Sequence, residues 1–100
     1  MSQGADYFDY ETVAASQTDQ ALGATGRVGD LLHRLVITVA TAATGTVSIK
    51  DGGGSAMPIT AANTPIGVYS VEVNARSRVG AWSVTTGAGA TVVAVGDFDT

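Results

Sequence analysis

A chain of 100 residues has room for one hydrophobic core and not for two. Apolar residues make up 45% of it and charged residues only 14%, with a net charge of −4, no Cys and a single His. These values exclude a disordered chain, a disulfide framework and a thiolate metal site. Charge placement argues further against nucleic acid. Asp6, Asp9, Glu11 and Asp19 precede Arg27 with no base among them, whereas the bases and acids after that point balance. No clustered basic face is available for a phosphate backbone.

Residues 1–11, MSQGADYFDYE, read as an extended N-terminal arm ahead of a domain at 12–100. Half of the chain's six aromatic residues lie there, Tyr7, Phe8 and Tyr10, beside Asp6, Asp9 and Glu11. Two readings stand side by side. The aromatics cover an open edge of the domain itself, or they anchor the arm on a neighbouring subunit, with the acids facing a basic patch.

Thr12–Leu22 shows no helical apolar stripe, and Ser16, Thr18 and Asp19 weaken a helix; an extended first strand is expected. The glycines at 23, 26 and 29 mark a loop without the Lys-Ser/Thr ending that a phosphate loop requires. Leu31–Lys50 then holds two runs of β type. In the first, Leu35, Ile37 and Val39 alternate with Arg34, Val36 and Thr38; in the second, Val47 and Ile49 alternate with Ser48 and Lys50. The short TAATGT between them makes a hairpin, or carries the chain between facing sheets. DGGGS at 51–55 is a turn. Ala56–Thr60 is a short strand that Pro58 keeps at an edge.

Val68–Asn74 is a strand with Tyr69, Val71 and Val73 on one face and Ser70, Glu72 and Asn74 on the other. Arg76 and Arg78 follow in a turn. Ala81–Thr86 places Trp82 and Val84 opposite Ser83 and Thr85, and a GAGA turn leads to Thr91–Phe98. That last run is apolar on both faces at its centre, which predicts a strand inside a sheet and covered on both sides. About seven short strands with glycine-rich turns predict an all-β, single-domain β-sandwich with jelly-roll or Greek-key-like wiring. Ala and Val supply much of the apolar content, so the core is expected to be thin, and oligomerisation is a common remedy in a domain this small.

No constellation for catalysis appears. His33 has no nucleophile or orienting acid at a defined spacing. Asp51 alone is no calcium loop, and Asp97 with Asp99 reads as a solvated end. Trp82, the sole Trp, is expected in the core; an exposed Trp82 would favour a carbohydrate-binding module. Arg76 and Arg78 flank Ser77 and share a side if the turn is extended, where they would pair with the acidic arm of a neighbour. The candidate partner-binding residues are therefore Tyr7, Phe8, Tyr10, Arg76 and Arg78, with no catalytic, cofactor-binding or metal residue. No apolar run approaches the ~18 residues of a bilayer span, and no signal-peptide pattern opens the chain.

Four pieces carry a resemblance: GDLLHRL at 29–35, VSIKDG at 47–52, GVYSVEVNA at 67–75 and GAWSVTTGAGA at 80–90. Over Ala14–Phe98 the chain resembles small virion structural proteins of tailed bacteriophages, of the head decoration or cement type. The resemblance implies a protein made in the host cytoplasm and carried on the phage head surface, where it binds the major capsid protein. It also implies a homo-oligomer, with a trimer favoured, and a protein that needs no active site or cofactor. No nucleic acid or membrane partner is expected. The alternative is a tail- or fibre-associated adhesin or carbohydrate-binding β module. These motifs are turns and strands, so the resemblance assigns no individual binding residue.

Overall fold

The computed structural model describes residues 9–23 and 28–98. Among them there are eight strands and no helix. They are β1 (Asp9–Val13), β2 (Gln20–Ala21), β3 (Leu31–Val39), β4 (Val47–Asp51), β5 (Met57–Thr60), β6 (Gly67–Arg76), β7 (Trp82–Thr85) and β8 (Ala90–Asp97). Two four-stranded sheets face each other, ordered β1-β8-β3-β6 and β2-β7-β4-β5. Every neighbouring pair is antiparallel. First pairs with last, second with seventh, third with sixth and fourth with fifth, which is the wiring of a jelly roll. The expected β-sandwich is present, and β3 and β4 lie in facing sheets rather than forming a hairpin.

Alternation in the sequence becomes the two faces of each sheet. On the first sheet Val13, Leu32, Leu35, Ile37, Val39, Ala90, Val92 and Ala94 point inward and are buried. From the second come Val47, Ile49, Trp82 and Val84, with Leu22 and Phe98 closing the ends. The core is small-sided as expected: β8 contributes two alanines and a valine. Trp82 is its largest member, and its indole Nε1–H donates to the Asp30 carbonyl at 3.0 Å, so the ring is both buried and oriented.

The start of the chain departs from the sequence expectation. Thr12–Leu22 is not one extended strand. Instead β1 ends at Val13, the chain crosses to the other sheet through Ala14–Asp19, and β2 begins at Gln20. Ser16 (φ 61°) and Asp19 (φ 49°) adopt left-handed backbone that breaks the strand. The crossing is held by the end of β7. Gln17 N–H donates to Thr86 Oγ1 at 3.0 Å, and Thr86 N–H donates to the Gln17 carbonyl at 2.9 Å. β1 also begins at Asp9, so Asp9–Glu11, read from sequence as arm, belong to the sheet. Glu11 is committed there: one carboxylate oxygen accepts Gly23 N–H and the other accepts Gln20 Nε2–H, both at 2.8 Å. This contact stitches β1 to the β2 region and closes that flank of the sandwich.

Two irregularities sit together in the first sheet. His33 is one residue more than β8 supplies between Leu32 and Arg34. Opposite the same step, β6 carries Val73 and Asn74 against His33 alone. Asn74 takes left-handed backbone (φ 49°), as an inserted bulge residue does. The bulge explains why Leu32 and Leu35, three apart, both face inward.

Two end loops touch backbone to backbone. A Cβ on Gly45 would lie 2.7 Å from the Gly87 Cα, and a Cβ on Gly87 would meet the Gly45 backbone closer still. The 40–46 crossing and the 86–89 turn therefore require glycine at both positions. Gly87→Ala is expected to cost about 1–3 kcal/mol from overpacking. Ile37→Ala, at a fully buried position, is expected to cost about 2–5 kcal/mol. Urea unfolding checks both: the midpoint falls while the slope with denaturant stays unchanged.

Candidate functional site

The outward faces of the two sheets differ in chemistry. On the second sheet the outward side chains of β4 and β7 are Ser48, Lys50, Ser83 and Thr85, all polar. Lys50 Nζ there pairs with Asp19 at 3.1 Å. The Asp19 carboxyl lies below its ordinary value because Lys50 and then Thr85 donate hydrogen bonds to it, partly offset by desolvation.

The first sheet presents a different surface. Across its strands run three outward rows. The first is Tyr10, Val95, Arg34 and Glu72; the second is Thr12, Val93, Val36 and Ser70; the third is Thr91, Thr38 and Val68. Tyr10 is 76% exposed and Val68 is 68% exposed, while Val36, Val93 and Val95 are half-buried by their neighbours alone. Charge lies toward one end. Arg34 meets Glu72 at 3.5 Å and donates from Nη1 to Ser70 Oγ at 3.3 Å, and Asp97 and Arg76 flank Leu31 at the next outward step. The second and third rows are uncharged. The result is a face with an apolar centre and a charged rim at one end.

This face corrects one sequence expectation. β8 does lie inside a sheet, between β1 and β3, but its second face is not covered: Val93 and Val95 look outward. Sequence reading found the apolar character of both faces and assigned the second one to a layer that this chain does not supply among its described residues.

The candidate residues separate. Tyr7 and Phe8 lie outside the described residues. Tyr10 and Arg76 share the outward face of the first sheet, on its two edge strands, three strand spacings or about 14 Å apart. Arg76 is partly engaged, since its Nη1–H donates to the Gly29 carbonyl at 2.9 Å. Arg78 leaves the sheet. It sits in the β6–β7 turn, where its backbone N–H, with those of Val79 and Gly80, donates to the Asp51 carboxylate at 2.8, 3.0 and 3.2 Å. The two arginines therefore sit on different elements, Arg76 at the end of β6 and Arg78 in the turn that follows it. Val93 and Val95 were missed as surface residues.

Comparison of the chain with family models, with curated proteins and with solved structures finds no match. The site's chemistry must therefore be read from its own side chains. Among the described residues no group of three or more His, Cys, Asp or Glu side chains gathers to hold a metal ion. His33 Nδ1 lies 2.6 Å from Asn74 Oδ1. The contact ties the two bulged strands together. Trp82 is 4% exposed and offers no stacking platform for a sugar ring.

Asp51 was weighed as half of a cation loop; instead its carboxylate organises a distant turn. Desolvation pushes this carboxyl up. The backbone N–H groups of Arg78, Val79 and Gly80, with the Arg78 charge, outweigh it and hold the group below its ordinary value of 3.8. A depressed carboxyl contributes stability that is present above the unfolded value and is lost as pH falls through the folded one. Asp51→Ala is expected to lose about 1–2 kcal/mol at neutral pH, the exposed carboxylate being screened by solvent. The gap to the wild-type protein should narrow in acid below the ordinary value, as measured by urea unfolding across the pH range.

Proposed function

We propose that this chain is a virion structural protein, a head decoration or cement protein that binds the major capsid protein through the outward face of its first sheet. One observation carries the reading. The centre of that face, Val36, Val93 and Val95, is apolar with no layer over it among the described residues, while the outward side chains of β4 and β7 on the second sheet are polar. Open apolar patches with polar rims mark association surfaces. The resemblance of Ala14–Phe98 to phage decoration proteins supplies the partner class.

The rest of the molecule suits this role. A decoration protein works by binding the assembled shell and not its dispersed subunits, so its binding free energy adds to shell stability by mass action. It does no chemistry, and the reading needs no catalytic group, cofactor or metal. Tyr10 is the rigid aromatic anchor at one edge of the face. The alternative of a sugar-binding adhesin rested on an exposed Trp82, and that ring is buried.

Co-sedimentation with undecorated phage heads tests the proposal. The wild-type chain should pellet with heads in copy numbers that saturate and match the icosahedral lattice. Val93→Glu places a charge at the centre of the apolar face and should weaken binding by at least about tenfold. Lys50→Glu, on the opposite sheet, should bind like wild type. Failure of the wild-type chain to pellet, or equal binding by all three proteins, would overturn the assignment.

A further inference from the structure

The sandwich has two flanks, and they are finished differently. At the β1/β2 flank, Val13 and Leu22 are fully buried and Glu11 bridges the two sheets. At the β5/β6 flank, the inward side chains Ile59, Tyr69, Val71, Val73 and Ala75 are only half-buried against the core. Met57 beside them is 41% exposed, and Ile66, just before β6, is 65% exposed. The small side chains of the core do not close this side.

The edge strands differ in the same way. A free strand edge invites pairing with another chain, and proteins blunt such edges by shortness, Pro, charge or a bulge. β2 has two residues, β5 has four with Pro58 among them, and β1 has five and carries Asp9 and Glu11. β6 has ten residues and lies at the end of its sheet, paired only to β3 among the described residues. Its one bulge, at Asn74, leaves Gly67–Val73 as an unbroken edge with no Pro and no Lys, and with Glu72 as its single charge.

We infer that the β6 edge pairs with the β6 edge of a second copy of this chain, antiparallel and about a two-fold axis at Ser70. A strand edge that meets its own copy closes by a two-fold contact, which leaves no further edge to extend. Centring the axis at Ser70 uses all seven regular residues. Outward, Ser70 faces Ser70 of the other copy and Val68 faces Glu72. On the inward side, Tyr69 faces Val71 and Gly67 faces Val73. The aromatic and β-branched pairs are of the favourable kind. An axis at Glu72 would instead set two carboxylates directly opposite each other, so charge selects against it. The contact joins two four-stranded sheets into one of eight strands and covers the half-buried row Tyr69, Val71 and Val73.

Seven residues at ~3.4 Å each give a contact about 24 Å long. Against the 19 Å short dimension of the molecule, that is a footprint of roughly 450 Å² per copy. The total of roughly 900 Å² falls in the range of weak, reversible interfaces. The pair is therefore a concentration-dependent dimer. It is two-fold, in contrast to the three-fold assembly that the resemblance implies, and it leaves the outward face of the first sheet free.

Sedimentation equilibrium of the full chain over micromolar to millimolar concentration tests this, together with amide hydrogen exchange along β6. The wild-type protein should pass from monomer to dimer, and the edge amides of 67–73 should exchange more slowly as the dimer fills. Ser70→Glu puts two carboxylates face to face across the axis at an exposed position. It should shift the dissociation constant upward by at least about tenfold with an unchanged circular dichroism spectrum. Thr12→Glu, on the outward face of the opposite edge strand, should dimerise as wild type does. A monomer at every concentration, a trimer, or a dimer that Ser70→Glu leaves intact or that Thr12→Glu weakens equally would overturn the inference. Slowed edge amides in the presence of heads but not of concentrated protein would also overturn it, by assigning the edge to a capsid segment.

Discussion

Six of the seven connections between consecutive strands cross from one sheet to the other; only β4 to β5 stays within a sheet. That constraint governs the rest of the molecule. A chain that crosses after nearly every strand pairs no strand with its sequence neighbour except in that one hairpin. The sheets are therefore held by contacts between distant parts of the sequence, and the ends of the sandwich are crowded with crossing backbone. Each crossing must satisfy its own peptide groups away from a regular ladder. The molecule meets this with side chains from distant parts of the sequence: Thr86 for the 14–19 crossing, Asp51 for the 77–80 turn and Ser77 for Gly29. Where no side chain fits, as between Gly45 and Gly87, the backbones meet directly.

The small core has a related consequence. β8 brings alanine, valine and alanine inward, which lets the sheets approach but buries little area per residue. One flank is closed by Val13, Leu22 and the Glu11 bridge, and the other is left half-finished beside β6. The outward face of the first sheet and the β6 edge are thus two separate places where apolar surface stays open. The first is the face proposed to meet a capsid, and the second is the edge proposed to meet another copy. They share β6: the outward side chains Val68, Ser70 and Glu72 border both surfaces, while the free backbone and the inward side chains belong to the edge alone. Both surfaces can be occupied at once.

Much of the fold was legible because it is local. Period-two alternation placed β3, β4, β6 and β7 and named their inward residues, and Pro58 marked β5 as an edge. The failures each had a physical cause. Thr12–Leu22 looked like one strand because its break is made by left-handed backbone at Ser16 and Asp19, which polar residues tolerate but do not announce. The bulge at His33 and Asn74 is a one-residue change of phase that alternation alone does not reveal. Of the candidate site, Tyr10 and Arg76 fell on the outward face, while Arg78 lies beyond the strand in a turn whose backbone Asp51, 27 residues earlier, captures. Val36 was legible on the outer face of a half-buried strand, whereas Val93 and Val95 were visible as composition and misread as interior.

The amino-acid sequence by itself determined an all-β chain and the residues that face inward on its longer strands. Those follow from side-chain period and type, which act over a few residues. Only the tertiary structure decided which sheet each strand joins, which turn Asp51 serves, and which apolar residues stay uncovered. A strand's partner is chosen by contacts across tens of residues, and whether its second face is buried depends on what the rest of the chain can place over it. Here the chain closes one flank and leaves the outward face of β8 and the edge of β6 open.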